Sequence, residues 1–382
     1  MFIHILFIVI LISIAGYNGV LAGSHKWQTR VLSKNSEIPT RGFLTLLIVV
    51  HHVVQQMGES GILSIFNEVG LLCVACFFFF SGYGLMYNTE NKEDYLSASY
   101  FNKYISLLIP FFLTNICFLL YQIATGQQYS FKYCIAYIFG FLLINTHAWY
   151  IITIAVFYLA FFFIFRFIKN RHLAVCTMFA FLICYILLCL SRGSGFGWFQ
   201  GEWWFNSCIL FGIGIVFSRY EQKIVFICKK LYLILFPLSI TIFVWFWQKS
   251  IAVLDKISYL SADSTIFSPA LKESYICLFW QMSAVVSFVI FVFLVTLKFR
   301  ADNKLLRFIS KISLELYLIH GLFIQLFHSD FITIKNNMLY LVCVILCSVL
   351  AAWLLNFIVQ LTEKGIQTLL HKKEWILLPH KR

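Results

Sequence analysis

Apolar runs of about 20 residues recur along the whole chain, and they leave it one kind of fold. They lie near residues 2–22, 42–57, 66–87, 105–124, 131–146, 148–168, 173–190, 204–218, 228–247, 275–298, 311–328 and 338–361. Roughly 20 helical residues cross a bilayer core about 30 Å thick. In lipid, a helix satisfies its backbone polar groups within the segment. The chain is 61% hydrophobic and 12% charged, a balance far from that of soluble domains. The expected fold class is all-α: a polytopic transmembrane helix bundle of about ten core spans plus a leading N-terminal span. No polar stretch is long enough for a second, soluble domain. The expected organisation is a hydrophobic span and cytoplasmic linker over 1–40, a transmembrane domain over 41–361 and a basic cytoplasmic tail over 362–382.

The net charge of +13 does not point to nucleic acid, because the basic residues are spread over short loops. In a polytopic chain such residues set topology, with Lys and Arg kept on the cytoplasmic side. If all twelve runs crossed, Arg166, Lys169, Arg171 and the later basic loops would lie outside. If 131–146 does not cross, only Lys132, Arg192, Lys249, Lys256, Lys272 and Lys335 of the 29 basic residues lie outside. The second count is selected, and 131–146 is then re-entrant or interfacial. The first 22 residues have the apolar length of a signal peptide. No Lys or Arg precedes that run, however, whereas Lys26, Arg30, Lys34 and Arg41 follow it. A cleaved signal carries its charge in front, so an uncleaved span with its amino terminus outside is expected.

Arg41 and His52 are eleven residues apart in RGFLTLLIVVHHVVQQM. At 100° per residue they share a helix face, roughly 16 Å apart along the axis. Thr45, Gln55 and Gln56 fall near the same stripe. Ionisable groups at membrane depth are costly and usually line a site. Arg41 is placed near one surface and His52 near the midplane. Histidine titrates near neutral pH, and a buried imidazole with one available nitrogen takes a proton from a hydroxyl; the alternative is a structural bond across helices. His51, about 100° around, reads as structural. Arg41 suits bidentate binding of phosphate or carboxylate, or serves as an interfacial anchor.

Further candidates stand elsewhere. Residues 77–84 read FFFFSGYG, in which Ser81 is a hydrogen-bond donor to a buried ligand or, with Gly82, a helix-packing position. Residues 145–150 read NTHAWY, with His147 at the outer end of a span. Ser313, Tyr317 and His320 follow i, i+4, i+7 on one helix face. The selected topology brings His320, roughly 13 Å into the run 311–328, to a depth similar to that of His52. Glu315 lies one turn from Lys311 and is expected to pair with it. Residues 192–204, RGSGFGWFQGEWW, read as an external loop with interfacial tryptophans. The twelve cysteines sit mostly in apolar runs. Cys73 and Cys76 have metal-like spacing, but LLCVACFFFF offers no further ligand. They read as packed thiols, and no metal site is expected.

Taken in order, these segments resemble the acyltransferase-3 family of integral membrane acyltransferases. Arg41-x10-His52 is similar to its Arg/Lys-x10-His motif, and residues 77–84 to its FFxxSGF segment. YFNKYISLLIP at 100–110 resembles a basic stretch ending in proline. His147 to Tyr150 resembles an H-x-W-F step, and ISLELYLIHG at 312–321 an ISYxLYLxH segment. The departure is in the basic stretch, where Lys103 stands in place of two or more arginines. The resemblance implies transfer of an acyl group, often acetyl, from cytoplasmic acyl-CoA to a hydroxyl of a bacterial envelope carbohydrate. It implies a multi-pass protein of the inner or plasma membrane. Its partners would be the acyl-CoA donor, the carbohydrate acceptor and the bilayer, with no permanently bound cofactor. His52 would be the base and Arg41 the donor-binding group, with Lys103 as a point charge. Ser81, His147, Tyr317 and His320 would contact substrate. A transporter or flippase of an envelope glycan is the alternative.

Overall fold

The computed structural model describes residues 2–23, 26–28, 34–58, 60–192, 201–254, 269–301 and 303–377. The chain is helical almost throughout. The helices are α1 (Phe2–Gly16), α2 (Lys34–Gln55), α3 (Val69–Asn91), α4 (Tyr100–Ala124), α5 (Phe131–Ile138), α6 (Trp149–Phe167) and α7 (Arg171–Arg192). They continue with α8 (Ile209–Lys230), α9 (Tyr232–Leu254), α10 (Pro269–Lys298), α11 (Lys304–Lys311), α12 (Ser313–Leu326) and α13 (Asn337–Leu377). The two short strands β1 (Val20–Leu21) and β2 (Phe299–Arg300) pair antiparallel.

Each of the ten expected core runs carries helix. Eight stretches among the described residues are long and apolar enough to cross a membrane, and a ninth is the pair α11 and α12, bent by 78°. The bend corrects the expectation of one straight helix over 311–328: Ile312 leaves helical geometry at φ −107° and ψ 15°. The tenth run lies in α8, whose second half carries Arg219, Glu221 and Lys223. The leading run carries the shorter helix α1. Its helix stops at Gly16, and 15 residues reach only about 22 Å, short of a hydrocarbon core of about 30 Å.

Two compact units divide the chain. The first holds residues 1–96 and 156–311, and the second residues 97–155 and 312–382. In the first, α3 packs against α2, α8 and α10. Glycines set the closest approach: a Cβ on Gly82 would lie 2.0 Å from the Phe211 carbonyl oxygen, and one on Gly214 2.2 Å from that of Phe79. Beyond this contact Tyr83 donates to Glu221 (2.8 Å) and Arg219 pairs with Glu90 (3.2 Å). Hence, of the charges in the second half of α8, Arg219 is neutralised by Glu90 of α3 and Glu221 is bonded by Tyr83. The chain after α1 is clasped to the end of α10. Lys298 Nζ donates to the carbonyls of Gly23 and Lys26 and stands 3.9 Å from the centre of the Trp27 ring. Asn303 holds the Ile14 carbonyl of α1.

In the second unit α12 packs on α13 and α4. The run 131–146 is helical only over α5, whose eight residues extend about 12 Å and cannot cross. Asn115 of α4 donates to the Ile138 carbonyl, and the chain then turns at Gly140 with φ +76°. With α5 outside the span count, Lys169 and Lys272 are expected on opposite faces, Lys169 in the cytoplasm. Lys169→Cys and Lys272→Cys, each in a background cleared of native thiols, should label from opposite sides. Labelling of position 169 from outside the cell would overturn this orientation.

Candidate active site

The first cluster lies on α2 and α3. α2 begins at Lys34 and ends at Gln55, earlier at both ends than the apolar run 42–57. His52 therefore sits in the last turn of the helix rather than at its middle, and Arg41 lies about two turns in from the start of its 22 residues. Their common face is kept. Gly42 lets α11 come close, since a Cβ there would stand 2.2 Å from the Leu306 carbonyl oxygen. Arg41 is half-buried, with its guanidinium 6.0 Å from the centre of the Phe77 ring. The Thr45 hydroxyl is buried and donates to the Arg41 carbonyl (2.9 Å), which accounts for its place on the stripe without a ligand.

His51 and His52 differ in environment although their ring centres are 4.6 Å apart. His51 is buried and its Nδ1 lies 2.9 Å from the Phe66 carbonyl oxygen. Its ring fills a slot that exists because residue 70 is glycine; a Cβ there would come within 2.3 Å of the imidazole. This is a structural cross-link, as read from its position around the helix. His52 is half-buried, with Nδ1 3.4 Å from Gln55 Oε1. Gln55 Nε2 donates to the Asn67 carbonyl (3.1 Å), so its Oε1 is the atom turned to His52. An amide oxygen only accepts. In the neutral imidazole this contact favours the tautomer with its proton on Nδ1 and its lone pair on Nε2, the form a general base needs.

Ser81 is half-buried on α3, one turn beyond Phe77. The contact of His51 with Gly70 sets the register of these antiparallel helices. Counting from it, Arg41 lies ten residues down α2 and Ser81 eleven down α3, roughly 15 and 16 Å. They occupy one level of the first unit. Gly82, by contrast, faces α8. Cys73 and Cys76 are buried free thiols in α3, as expected of core cysteines.

The second cluster gathers His147, Tyr317 and His320. Asn145 begins a short 3-10 turn, Thr146–Ala148, that leads into α6. The rings of His147 and His320 are 5.0 Å apart, tilted by 38°. His320 is fully buried, and its Nδ1 lies 2.7 Å from the Tyr317 carbonyl oxygen. By the same argument as for His52, Nδ1 holds the proton and the lone pair is on Nε2. The Tyr317 hydroxyl donates to the His147 carbonyl, and the Tyr150 ring lies edge-on to that of Tyr317 at 6.0 Å. Tyr317 thus holds His147 through the backbone. Gly321 makes room for the His147 ring, since a Cβ there would lie 2.6 Å from its Cδ2.

Lys103 is not gathered into this cluster. It is half-buried in the first turn of α4. Phe118, which borders Gly321 beside His147, lies 15 residues further on, roughly 22 Å along α4. Glu315 is buried and accepts from Asn356 Nδ2 of α13 (2.9 Å). That replaces the expected pairing with Lys311, which the bend at Ile312 puts on another helix. Of the loop 192–204, residues 193–200 lie outside the described residues. Asn145 and Gly321 were not singled out from the sequence. The available signal was an asparagine in an apolar stretch, where a side-chain amide is expensive unless bonded.

The acyltransferase-3 family model, described as an acyltransferase domain, matches residues 40–357. No curated protein and no solved structure matches the chain.

Proposed function

The chain belongs to the acyltransferase-3 family, and from that premise we propose that this multi-pass membrane acyltransferase is an O-acyltransferase of the inner or plasma membrane. It moves an acyl group, acetyl in the first instance, from acyl-CoA to a hydroxyl of a cell-envelope or exported carbohydrate. The observation that supports this most is His52, with Nδ1 turned to the Gln55 amide oxygen and Arg41 three turns away on the same face of α2. In the proposed step, Nε2 of His52 takes the proton of the acceptor hydroxyl as its oxygen attacks the thioester carbonyl. The tetrahedral oxyanion collapses, the carbon–sulfur bond breaks, and the departing thiolate receives the proton from the imidazolium. General-base help of this kind contributes about 10²–10⁴-fold.

Arg41 binds the donor's phosphates from the cytoplasmic half of α2, with Ser81 level with it on α3. Lys103, at the start of α4, acts as a single positive charge toward the donor. His147 and His320 orient the acceptor, and Tyr317 holds His147 in place. The direct test is transfer of labelled acetyl from acetyl-CoA to an envelope polysaccharide by the purified protein in liposomes. Absence of transfer and of CoA release with a folded protein would sink this reading in favour of glycan transport.

Arg41→Lys separates donor binding from anchoring. Lysine keeps the charge but loses the planar fork that grips two oxygens. A raised KM for acyl-CoA at saturating acceptor is expected, with the acceptor KM unchanged. An interfacial anchor would tolerate lysine, because both side chains snorkel. Kinetics indistinguishable from the unsubstituted protein would therefore favour the anchor.

A further inference from the structure

We propose that Asn145 is a positioning residue whose side-chain amide fixes His147 beside His320 for the acceptor. This rests on the acyltransferase reading above. Asn145 is fully buried. Its Nδ2 donates to the Leu318 carbonyl of α12 (2.8 Å), and its Oδ1 accepts from the His147 backbone N–H (3.1 Å). One amide therefore ties the backbone of His147 to the turn of α12 that lies between Tyr317 and His320.

The remaining contacts complete the hold. Tyr317 donates to the His147 carbonyl from the same turn of α12, so the backbone of residue 147 is held at both its N–H and its C=O. Gly321 leaves the slot for the ring. Burying an amide is costly unless its polar atoms are bonded, and both polar ends of this one are. A simple connection between the loop and α12 could be made by apolar contact. An amide bonded at both ends adds direction: it sets where the His147 ring stands along α12, and the ring stands 5.0 Å from that of His320. Placing a reacting group within about 1 Å is worth on the order of 10²-fold in rate.

A double-mutant cycle on the full-length protein in liposomes, with acetyl-CoA and envelope polysaccharide, tests this. Asn145→Ala is expected to lower kcat/KM for the acceptor by on the order of 10²-fold, leaving the KM for acyl-CoA unchanged. In a His147→Ala background the same substitution should cost no more than about twofold, the scatter of independent sites. If Asn145→Ala instead multiplies its full loss onto an impaired His147→Ala protein, Asn145 acts elsewhere and the proposal is overturned while the acyltransferase reading stands. If Asn145→Ala does not accumulate, Asn145→Asp enters the same cycle. It keeps the bond from His147 N and loses the one to Leu318. Unchanged kinetics in a folded Asn145→Asp protein would also overturn the proposal. Absence of transfer by the unsubstituted protein would sink the acyltransferase reading itself.

Discussion

His52→Ala is expected to abolish acyl transfer, by roughly 10²–10⁴-fold, while expression and membrane insertion stay near normal. The side chain is half-buried in the last turn of α2, so truncation removes little packing. What is lost is an imidazole whose Nδ1 faces the Gln55 amide oxygen, with Gln55 itself oriented by Asn67. His51→Ala is the control, because the two residues are adjacent in sequence but differ in what they touch. His51 bonds the Phe66 carbonyl and fills the slot at Gly70. Its loss leaves a buried carbonyl unsatisfied, at about 1–3 kcal/mol. The amount of folded protein should fall, with turnover per folded molecule milder in its change than for His52→Ala. Initial rates normalised to folded protein by size-exclusion chromatography separate the two. Full activity in a well-expressed His52→Ala protein would remove His52 from the mechanism.

The second large effect concerns the fold. Gly82→Ala and Gly214→Ala should each destabilise the first unit strongly. The new methyl groups would meet the backbone oxygens of Phe211 and Phe79 at 2.0 and 2.2 Å. Backbone cannot rotate away as a side chain can, so α3 and α8 must move apart. Overpacking of a tight contact costs about 1–3 kcal/mol, and separation here would also strain the Tyr83–Glu221 bond and the Arg219–Glu90 pair. Gly84→Ala, two residues on, has open space around it and should be neutral or slightly stabilising, since alanine favours helix by about 1 kcal/mol. Thermal melting of the three purified variants is the measurement. A Gly82→Ala protein melting with Gly84→Ala would show that α3 and α8 do not meet at these glycines.

Several elements were legible in the residues alone because they depend on one segment and its solvent. Helix in each core run follows from apolar length, since the backbone must satisfy itself in lipid. The common face of Arg41 and His52 follows from 100° per residue and needs no partner. The failure of 131–146 to cross was marked by the basic residues beyond it and appears as the eight-residue α5. Even the structural reading of His51 came from its angle around α2.

Tertiary structure decided the rest. Nothing local in ISKISLELYLIH distinguishes a straight helix from two helices bent at Ile312; the packing of α11 on α2 and of α12 on α13 makes the difference. The same packing gives Glu315 an asparagine 41 residues away in place of a lysine one turn back. α1 ends at Gly16, just before Asn18 at φ 53°, a stop that the residues themselves carry, whereas the clasp of the following chain to α10 is tertiary. Asn145, Gly321 and the ring-to-ring approach of His147 and His320 are long-range juxtapositions. Hydrophobic periodicity states which face of a segment is buried. Which distant side chain meets that face depends on how the helices pack, and that information is spread over the whole chain rather than held at either residue.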